Sequence, residues 1–232
     1  METNNTTANA TKITEVHNLI ILDRSGSMAS IAEQAIAGVN ETIGTIRQAG
    51  RTKDMRQYLS VVSFCGCTTS LFCKNEPIEN VRTMTAADYQ PCCSTPLYDA
   101  MGQSLTALRE HVGRRQDVAV SVTIITDGYE NASRRWTSEA VKALVELLKA
   151  DGWLFAYIGA NQNLDEVKFN VAIDNCMAFA ATPEGTKRMF NMERKARSRW
   201  MDCCSDSVAK KVCESRYFED LDDEESSDNI AR

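Results

Sequence analysis

Residues 19–30 read LIILDRSGSMAS, an apolar run that leads directly into an acid and two hydroxyls at every second position. If the chain turns sharply here, Asp23, Ser25 and Ser27 bring three oxygen atoms within a few ångströms of one another. Hard divalent cations prefer oxygen ligands grouped in this way. The stretch therefore predicts a cation site at the end of a strand.

Two later segments supply further oxygens. Asp127 ends the apolar run VTIITD and is followed by Gly128, and Thr95 stands in a loop just before a helical pattern. Ligands of open parallel sheets gather beyond the carboxyl ends of the strands, so Asp127 meets Asp23 if the two strands are neighbours. The Thr95 hydroxyl also has a structural interpretation, as an N-cap that accepts a backbone N–H of the following helix.

The elements that must position these residues follow from the apolar periodicity. Continuous apolar runs predict strands buried on both faces of a parallel sheet, and apolar residues at helical spacing predict helices between them. Strands are predicted at 16–23, 58–65, 69–78, 117–127, 153–160 and 176–180, and helices at 31–50, 96–112, 138–152, 164–172 and from about residue 184. This alternation favours an open, largely parallel sheet with helices on both faces.

Three separated segments, DRSGSM, STPLYDA and ITDGYENAS, resemble in order and spacing the metal-ion-dependent adhesion site (MIDAS) of the von Willebrand factor A domain family. The resemblance covers about residues 16–181. The run GWLFAYIGANQNLDEV also resembles the last strand and following loop of compact bacterial single-domain members. The resemblance implies an α/β fold with a doubly wound, mostly parallel open sheet, helices on both faces and one antiparallel edge strand.

The resemblance also implies a role for each oxygen. Ser25 and Ser27 would bind the cation directly, and Thr95 directly or through water. Asp23 and Asp127 would act mainly through water molecules and hydrogen bonds. The cation is expected to be Mg²⁺, with Mn²⁺ or Ca²⁺ able to replace it. The letters CCS precede Thr95 where the family often has glycines, and this departure can reshape the loop that presents the hydroxyl.

Neutral hydroxyls as direct ligands leave most of the cation's charge uncancelled on its open side. An anionic oxygen is drawn to that side, most simply the carboxylate of an Asp or Glu from another protein. Carboxylates one shell away fix the direction of the ligating hydroxyls. We therefore expect a metal-dependent protein–protein interaction module that is not an enzyme.

The alternative function is a magnesium-dependent, phosphatase-like hydrolase in which Asp23 is the nucleophile for phosphoryl transfer. Such a site needs a general acid two residues further on, where this chain has Ser25. His17 begins the first strand and His111 ends a helix, so neither is expected at the site. The lack of an acid–base pair disfavours the hydrolase.

The composition excludes several partners. The 232 residues carry a formal net charge of -6, which provides no basic field for a phosphate backbone, so no nucleic acid partner is expected. No run approaches the roughly 18 to 20 apolar residues that span a bilayer, and the start METNNTTANATKITEV lacks the apolar stretch of a signal peptide. We therefore predict a cytoplasmic protein without membrane insertion.

The nine Cys are an odd number and lack the spacing of a secreted disulfide framework. A zinc site could draw on five of them around neighbouring loops: Cys65, Cys67, Cys73, Cys92 and Cys93. No pair has the gap of roughly two to four residues that is typical of a zinc knuckle, and free Cys is among the most buried residue types. Reduced thiols, buried or idle, are the favoured interpretation.

Four parts are predicted along the chain: a polar leader at 1–15, a von Willebrand factor A-like domain at 16–181, a helical extension at 182–216 and an acidic flexible tail at 217–232. The tail carries acids without an apolar period, which is typical of a solvated segment. The basic stretch KRMFNMERKARSRW within the extension is interpreted as a solvated helix face.

Overall fold

The computed structural model describes residues 12–160, 162–219 and 221. Its strands are β1 (Glu15–Asp23), β2 (Arg56–Phe64), β3 (Thr69–Pro77), β4 (Val118–Thr126), β5 (Leu154–Ala160) and β6 (Cys176–Phe179). They form one sheet in the order β3-β2-β1-β4-β5-β6. Every neighbouring pair is parallel except β2 and β3, so β3 is an antiparallel edge strand.

Helices cover both faces of this sheet. They are a 3-10 helix (Gly26–Ile31), α1 (Ala32–Thr52), α2 (Leu97–Val112), α3 (Ser138–Ala150), α4 (Leu164–Val171), α5 (Pro183–Cys203) and α6 (Ser207–Ser215). One face is packed by α2, α3 and α4, and the other by α1 and α5. The predicted doubly wound, mostly parallel sheet with one antiparallel edge strand is thereby confirmed. None of the helices described here is long and apolar enough to cross a membrane.

The position of the site depends on β1 and β4, which are parallel neighbours at the centre of the sheet. After β1, the chain places β2 and β3 on one side of it and then β4, β5 and β6 on the other. β1 and β4 therefore flank the point where the strand order reverses. Leu22 pairs with Ile125 in their register. Asp23 and Asp127 therefore emerge at the same edge of the sheet.

The interpretation of KRMFNMERKARSRW as a solvated helix face is wrong for the middle of α5. Trp200, Glu193 and Arg197 are buried against the sheet. The Arg197 guanidinium donates hydrogen bonds to Glu193 Oε1 (2.8 Å), Asn18 Oδ1 (2.7 Å) and Thr123 Oγ1 (2.7 Å). A charged residue can lie inside a core when its donors are satisfied in this way, and a pattern based on residue type alone counts it as exposed.

The structure describes only part of the predicted leader and of the predicted tail. Residues 1–11 of the leader lie outside the described residues, as does most of the tail. Glu15, placed in the leader, is the first residue of β1, and Tyr217, placed in the tail, is buried beside Trp200. The tail therefore does not begin at residue 217, because that tyrosine belongs to the core. The division of the chain at residue 182 stays a prediction.

Candidate metal centre

The first predicted ligand, Asp23, is fully buried at the end of β1. Its Oδ1 accepts the backbone N–H of Ser25 at 2.7 Å. Its Oδ2 accepts the hydroxyl of Thr126 at 2.6 Å. A carboxylate that binds the backbone two residues on holds the chain in a sharp turn. Asp23 therefore shapes the loop that carries both serines and joins it to the end of β4.

A chain of hydroxyls leads from this turn to the third segment. The Oγ atoms of Ser25 and Ser27 lie 3.1 Å apart. Ser27, at the start of the 3-10 helix, donates its hydroxyl to Asp127 Oδ1 at 2.6 Å. Ser25 is buried and Ser27 is exposed. Four of the five predicted residues are thus joined by direct hydrogen bonds at the edge formed by β1 and β4.

Thr95, the fifth predicted residue, lies beside this chain and does not cap a helix. The N-cap of α2 is Pro96, and Thr95 makes no capping hydrogen bond to that helix, so the N-cap interpretation is wrong. A Cβ atom built at Gly128 would lie 3.4 Å from Thr95 Oγ1 and 3.9 Å from Ser27 Oγ. The hydroxyls of Thr95 and Ser27 therefore both lie close to Gly128.

Polar contacts fix the Thr95 loop to the segment after β4. Thr95 N–H donates to Asn131 Oδ1 (2.9 Å), and Asn131 N–H donates back to the Thr95 carbonyl (3.1 Å). Glu130 accepts the backbone N–H of Tyr98 in the first turn of α2 (2.9 Å). The Asp99 carboxylate accepts three consecutive backbone N–H groups of the loop after β4. Acids near a helix N-terminus satisfy its free N–H groups and its dipole, so these contacts hold Thr95 beside Asp127.

Burial raises the pKa of Asp23, and the Asp127 carboxylate raises it further, whereas hydrogen bonds from Thr126 and Ser25 lower it. Burial also raises the pKa of Asp127, against the lowering effect of the Ser27 hydroxyl. Within the described part of the chain, neither carboxylate forms an ion pair with a basic side chain. Two buried carboxylates without a countercharge make a position that a cation stabilises, and the oxygen donors suit a hard one.

Sequence reasoning missed several residues that support this edge. Thr126 bonds to Asp23, and Tyr89 donates its hydroxyl to the Asp23 carbonyl. Gln162 donates its side-chain amide to the Gly128 carbonyl. Thr126 is the one that the sequence could have revealed, because a hydroxyl directly before Asp127 must lie at the same strand end. Tyr89 and Gln162 carry no local signal, since they reach the site from distant loops.

No protein-family model matches the chain, and no curated protein matches it. Solved structures do match. Proximal thread matrix protein 1 from the mussel byssus, with a zinc-occupied MIDAS motif, is 14% identical at a TM-score of 0.53, and the match covers 88% of this chain and 47% of that one. The pilus adhesin SpaC from Lactobacillus rhamnosus GG is 14% identical at a TM-score of 0.58, covering 82% of this chain and 32% of that one.

A third match is the manganese-loaded TRAP protein of Plasmodium vivax, 16% identical at a TM-score of 0.51, covering 77% of this chain and 72% of that one. This chain therefore spans half or less of the length of the mussel protein and the adhesin. All three contain a von Willebrand factor A domain. At these identities the likeness shows the fold, and the chain has the fold of that domain.

Proposed function

Starting from the von Willebrand factor A fold, we propose that this chain is a metal-dependent protein–protein interaction module and not an enzyme. Five residues hold its divalent cation: Asp23, Ser25, Ser27, Thr95 and Asp127. The observation that carries the proposal is the convergence of three hydroxyls with two buried carboxylates that have only neutral hydrogen-bond partners. Mg²⁺ is the proposed ion, with Mn²⁺ or Ca²⁺ able to replace it.

Each side chain has a part that follows from its contacts. Asp127 accepts a hydrogen bond from the Ser27 hydroxyl, so the Ser27 oxygen can offer a lone pair to a cation. Asp23 fixes the turn that presents Ser25. When bound, the cation supplies a positive charge that hydroxyl ligands do not cancel. The proposed partner offers an Asp or Glu carboxylate to that charge, because a hard cation prefers an anionic oxygen.

The buried position of Asp23 favours this function over the phosphatase-like alternative. Both of its oxygens accept hydrogen bonds, and the side chain is 0% exposed, so no oxygen is free to attack a phosphorus atom. His17 lies six residues before Asp23 on β1, about 20 Å away along an extended strand. His111 lies against His17 at 5.4 Å between ring centroids. Neither imidazole can therefore serve as the acid or base at this edge.

Calorimetric titration with Mg²⁺ and with Mn²⁺ tests the metal site. We expect binding in the native chain and little in Asp23→Ala. Ser27→Ala should weaken binding, whereas Ser30→Ala should not, because Ser30 is an exposed serine of the same 3-10 helix whose hydroxyl contacts only the Ser27 carbonyl. Equal affinity in the native chain and Asp23→Ala would contradict the proposed ligand set.

Affinity capture from native extract tests the partner. Proteins retained in Mg²⁺ should be lost with a chelator and with Ser27→Ala, and kept with Ser30→Ala. One Asp or Glu to Ala change on the partner should cost about 2–5 kcal/mol of binding, the range for a buried charge pair that loses one member. Retention in chelator would move the interaction elsewhere. Magnesium-dependent phosphatase turnover that disappears in Asp23→Asn would instead favour the hydrolase.

The location of the protein is part of the same proposal. All nine cysteines are free in the structure, in keeping with a reducing compartment such as the cytoplasm. Mass spectrometry after rapid alkylation of intact cells should find most of these thiols reduced. Several stoichiometric disulfides would contradict the cytoplasmic location. The likeness to compact bacterial single-domain members stays a prediction.

A further inference from the structure

Two loops beside the oxygen cluster bring four cysteine thiols together. Cys65 and Cys67 follow β2, and Cys92 and Cys93 precede the Thr95 loop. The Sγ atoms of Cys67 and Cys93 lie 2.7 Å apart, and those of Cys65 and Cys92 lie 3.4 Å apart. The sulfurs of Cys67, Cys92 and Cys93 all lie within 4.8 Å of one another. Cys65 lies outside this group of three and meets it at Cys92, and the fifth cysteine considered for zinc from the sequence, Cys73, is also outside it.

The spacing of these sulfurs suits a tetrahedral metal ion. With zinc–sulfur bonds of about 2.3 Å, two thiolates of a tetrahedral site lie about 3.8 Å apart. The Sγ separations of 2.7 and 3.4 Å are both shorter than that value, so these side chains would rotate apart to bind an ion, and Cys65 would turn toward Cys67 and Cys93. Sulfur ligands select soft ions such as Zn²⁺ and disfavour Mg²⁺. The cluster therefore differs in chemistry from the oxygen site next to it.

The backbone around the thiols is built so that the two loops touch. Gly66 N–H donates to the Ser94 carbonyl at 2.8 Å, and a Cβ at Gly66 would lie 2.2 Å from Ser94 Oγ. A side chain between Cys65 and Cys67 would therefore force the Ser94 hydroxyl to move. Cys93 adopts a left-handed backbone with a φ of 64°, which is uncommon for a residue with a side chain and is typical of functional sites.

Further contacts connect the cluster to the turn after β1. Cys92 N–H donates to the Arg24 carbonyl at 2.9 Å, and Gly26 N–H donates to the Cys93 carbonyl at 3.0 Å. The Arg24 guanidinium lies 3.5 Å from Cys65 Sγ, where a positive charge offsets that of a thiolate. Metal sites commonly have such an outer contact to a ligand.

The exposure of the thiols argues against idle cysteines. Free Cys is usually buried, and Cys204 follows that rule, whereas Cys67 and Cys93 are exposed and face each other. Exposed, neighbouring thiols are placed to share a metal ion or to form a disulfide. A shared metal ion explains why the pair from the other loop lies within reach.

We propose that Cys65, Cys67, Cys92 and Cys93 form a second metal site, a four-thiolate site for Zn²⁺. Each thiol releases its proton as its sulfur binds the ion. The site joins the loop after β2 to the loop that presents Thr95. Cys92 and Cys93 stand before this threonine where the resembling family often has glycines. This zinc ion has a structural role, because it holds the two loops together. It lies beside the oxygen site and does not occupy that site.

Metal content of the full chain tests this site. The protein is prepared without oxygen and with zinc supplied, in an Asp23→Ala background so that the oxygen site does not contribute. We expect about one zinc per chain, as for a four-ligand structural site, and a cobalt-substituted form with the sulfur-to-cobalt charge-transfer absorption and intense visible bands of tetrahedral thiolate coordination. Adding Cys67→Ser and Cys93→Ser should remove both signals.

The matched control is Cys203→Ser with Cys213→Ser, which removes another pair of neighbouring thiols and should leave zinc and the cobalt spectrum unchanged. If the double variant at 67 and 93 loses its circular dichroism signal, the single variant Cys67→Ser, at an exposed position, replaces it as the test. That variant should weaken zinc binding by more than the roughly 10- to 100-fold expected when a metal site loses an outer contact. Equal zinc content in the variants, a cobalt spectrum without sulfur ligands, or a Cys67–Cys93 disulfide in the oxygen-free protein would each overturn the proposal.

Discussion

Among the described residues, the inner face of α5 and the edge of the sheet both bury acidic side chains, and the negative charge is balanced in one region and not in the other. Beneath α5, Glu193 accepts hydrogen bonds at Oε1 from both Nε (2.8 Å) and the terminal nitrogen (2.5 Å) of Arg197. At the edge of the sheet, Asp23 has a hydroxyl and a backbone amide as its partners and Asp127 has a hydroxyl. Asp23 and Asp127, at the ends of β1 and β4, therefore lack the countercharge that Glu193 has.

This difference indicates what each region is for. A buried acid with its own arginine has its charge balanced inside the protein, because the chain supplies both members of the ion pair. A buried pair of carboxylates without a basic partner has no positive charge to balance it, and this lowers the free energy of unfolding. Proteins keep such unfavourable positions where function requires them. The contrast therefore separates a structural ion pair from the position that we propose for a cation.

The largest effect is expected from breaking the structural pair. Arg197→Ala leaves Glu193 buried without its countercharge, so we expect the free energy of unfolding to fall by about 3–5 kcal/mol. Denaturation in urea measures this change. The matched control is Arg188→Ala, an exposed arginine of the same helix, which should leave the midpoint nearly unchanged. A similarly small effect of both substitutions would remove the distinction between the two regions.

The next effect is stabilisation by metal at the sheet edge. A ligand that binds only the folded state at about 100 times its dissociation constant adds about 2.7 kcal/mol to the unfolding free energy. We therefore expect Mg²⁺ or Mn²⁺ to raise the melting temperature of the native chain, and a chelator to reverse the rise. Asp23→Ala should show no rise. A shift of equal size in that variant would place the stabilising ion elsewhere.

A smaller effect of opposite sign is expected from neutralising Asp23. In metal-free protein, Asp23→Asn should raise the unfolding free energy by about 0.5–2 kcal/mol, because it removes a buried charge while its amide can still donate to Thr126 Oγ1. The pKa of Asp23 is raised in the folded state, so the native chain loses stability as pH rises through that pKa. The advantage of the variant should therefore shrink as pH falls, which urea denaturation at several pH values measures. Destabilisation at neutral pH would contradict an uncompensated charge.

The smallest effect is expected at an exposed ion pair. Lys12 and Asp54 form such a pair, and both side chains are mostly exposed. Because water and salt screen exposed charges, Asp54→Asn should leave the unfolding midpoint within experimental error. A clear loss of stability there would show that ion pairing itself, and not burial, distinguishes the two regions.

Much of this organisation could be predicted from the sequence because each signal is local. Continuous apolar runs identified β1, β4 and β5, and helical spacing identified α1, α2 and α3. The five oxygen-bearing residues could be proposed because they occur near strand ends or shortly before a helix, and their binding of a metal stays a prediction. The burial of Arg197 could not be predicted, since an arginine is ordinarily solvated and its partners lie on distant strands. The thiol cluster was considered from the sequence but not favoured, because its two pairs are far apart in the chain and neither has the spacing of a zinc knuckle.

The sequence by itself determined the order of strands and helices, the type of sheet and the strand ends at which oxygen-bearing residues occur, because periodicity and strand termini depend on neighbouring residues. Only the tertiary structure decided which of these ends meet. It placed β1 beside β4, so that Asp23 and Asp127 share an edge, and it brought the loop of Cys65 against that of Cys93. Contacts between distant segments depend on how the whole core packs, and no short stretch of sequence contains that information.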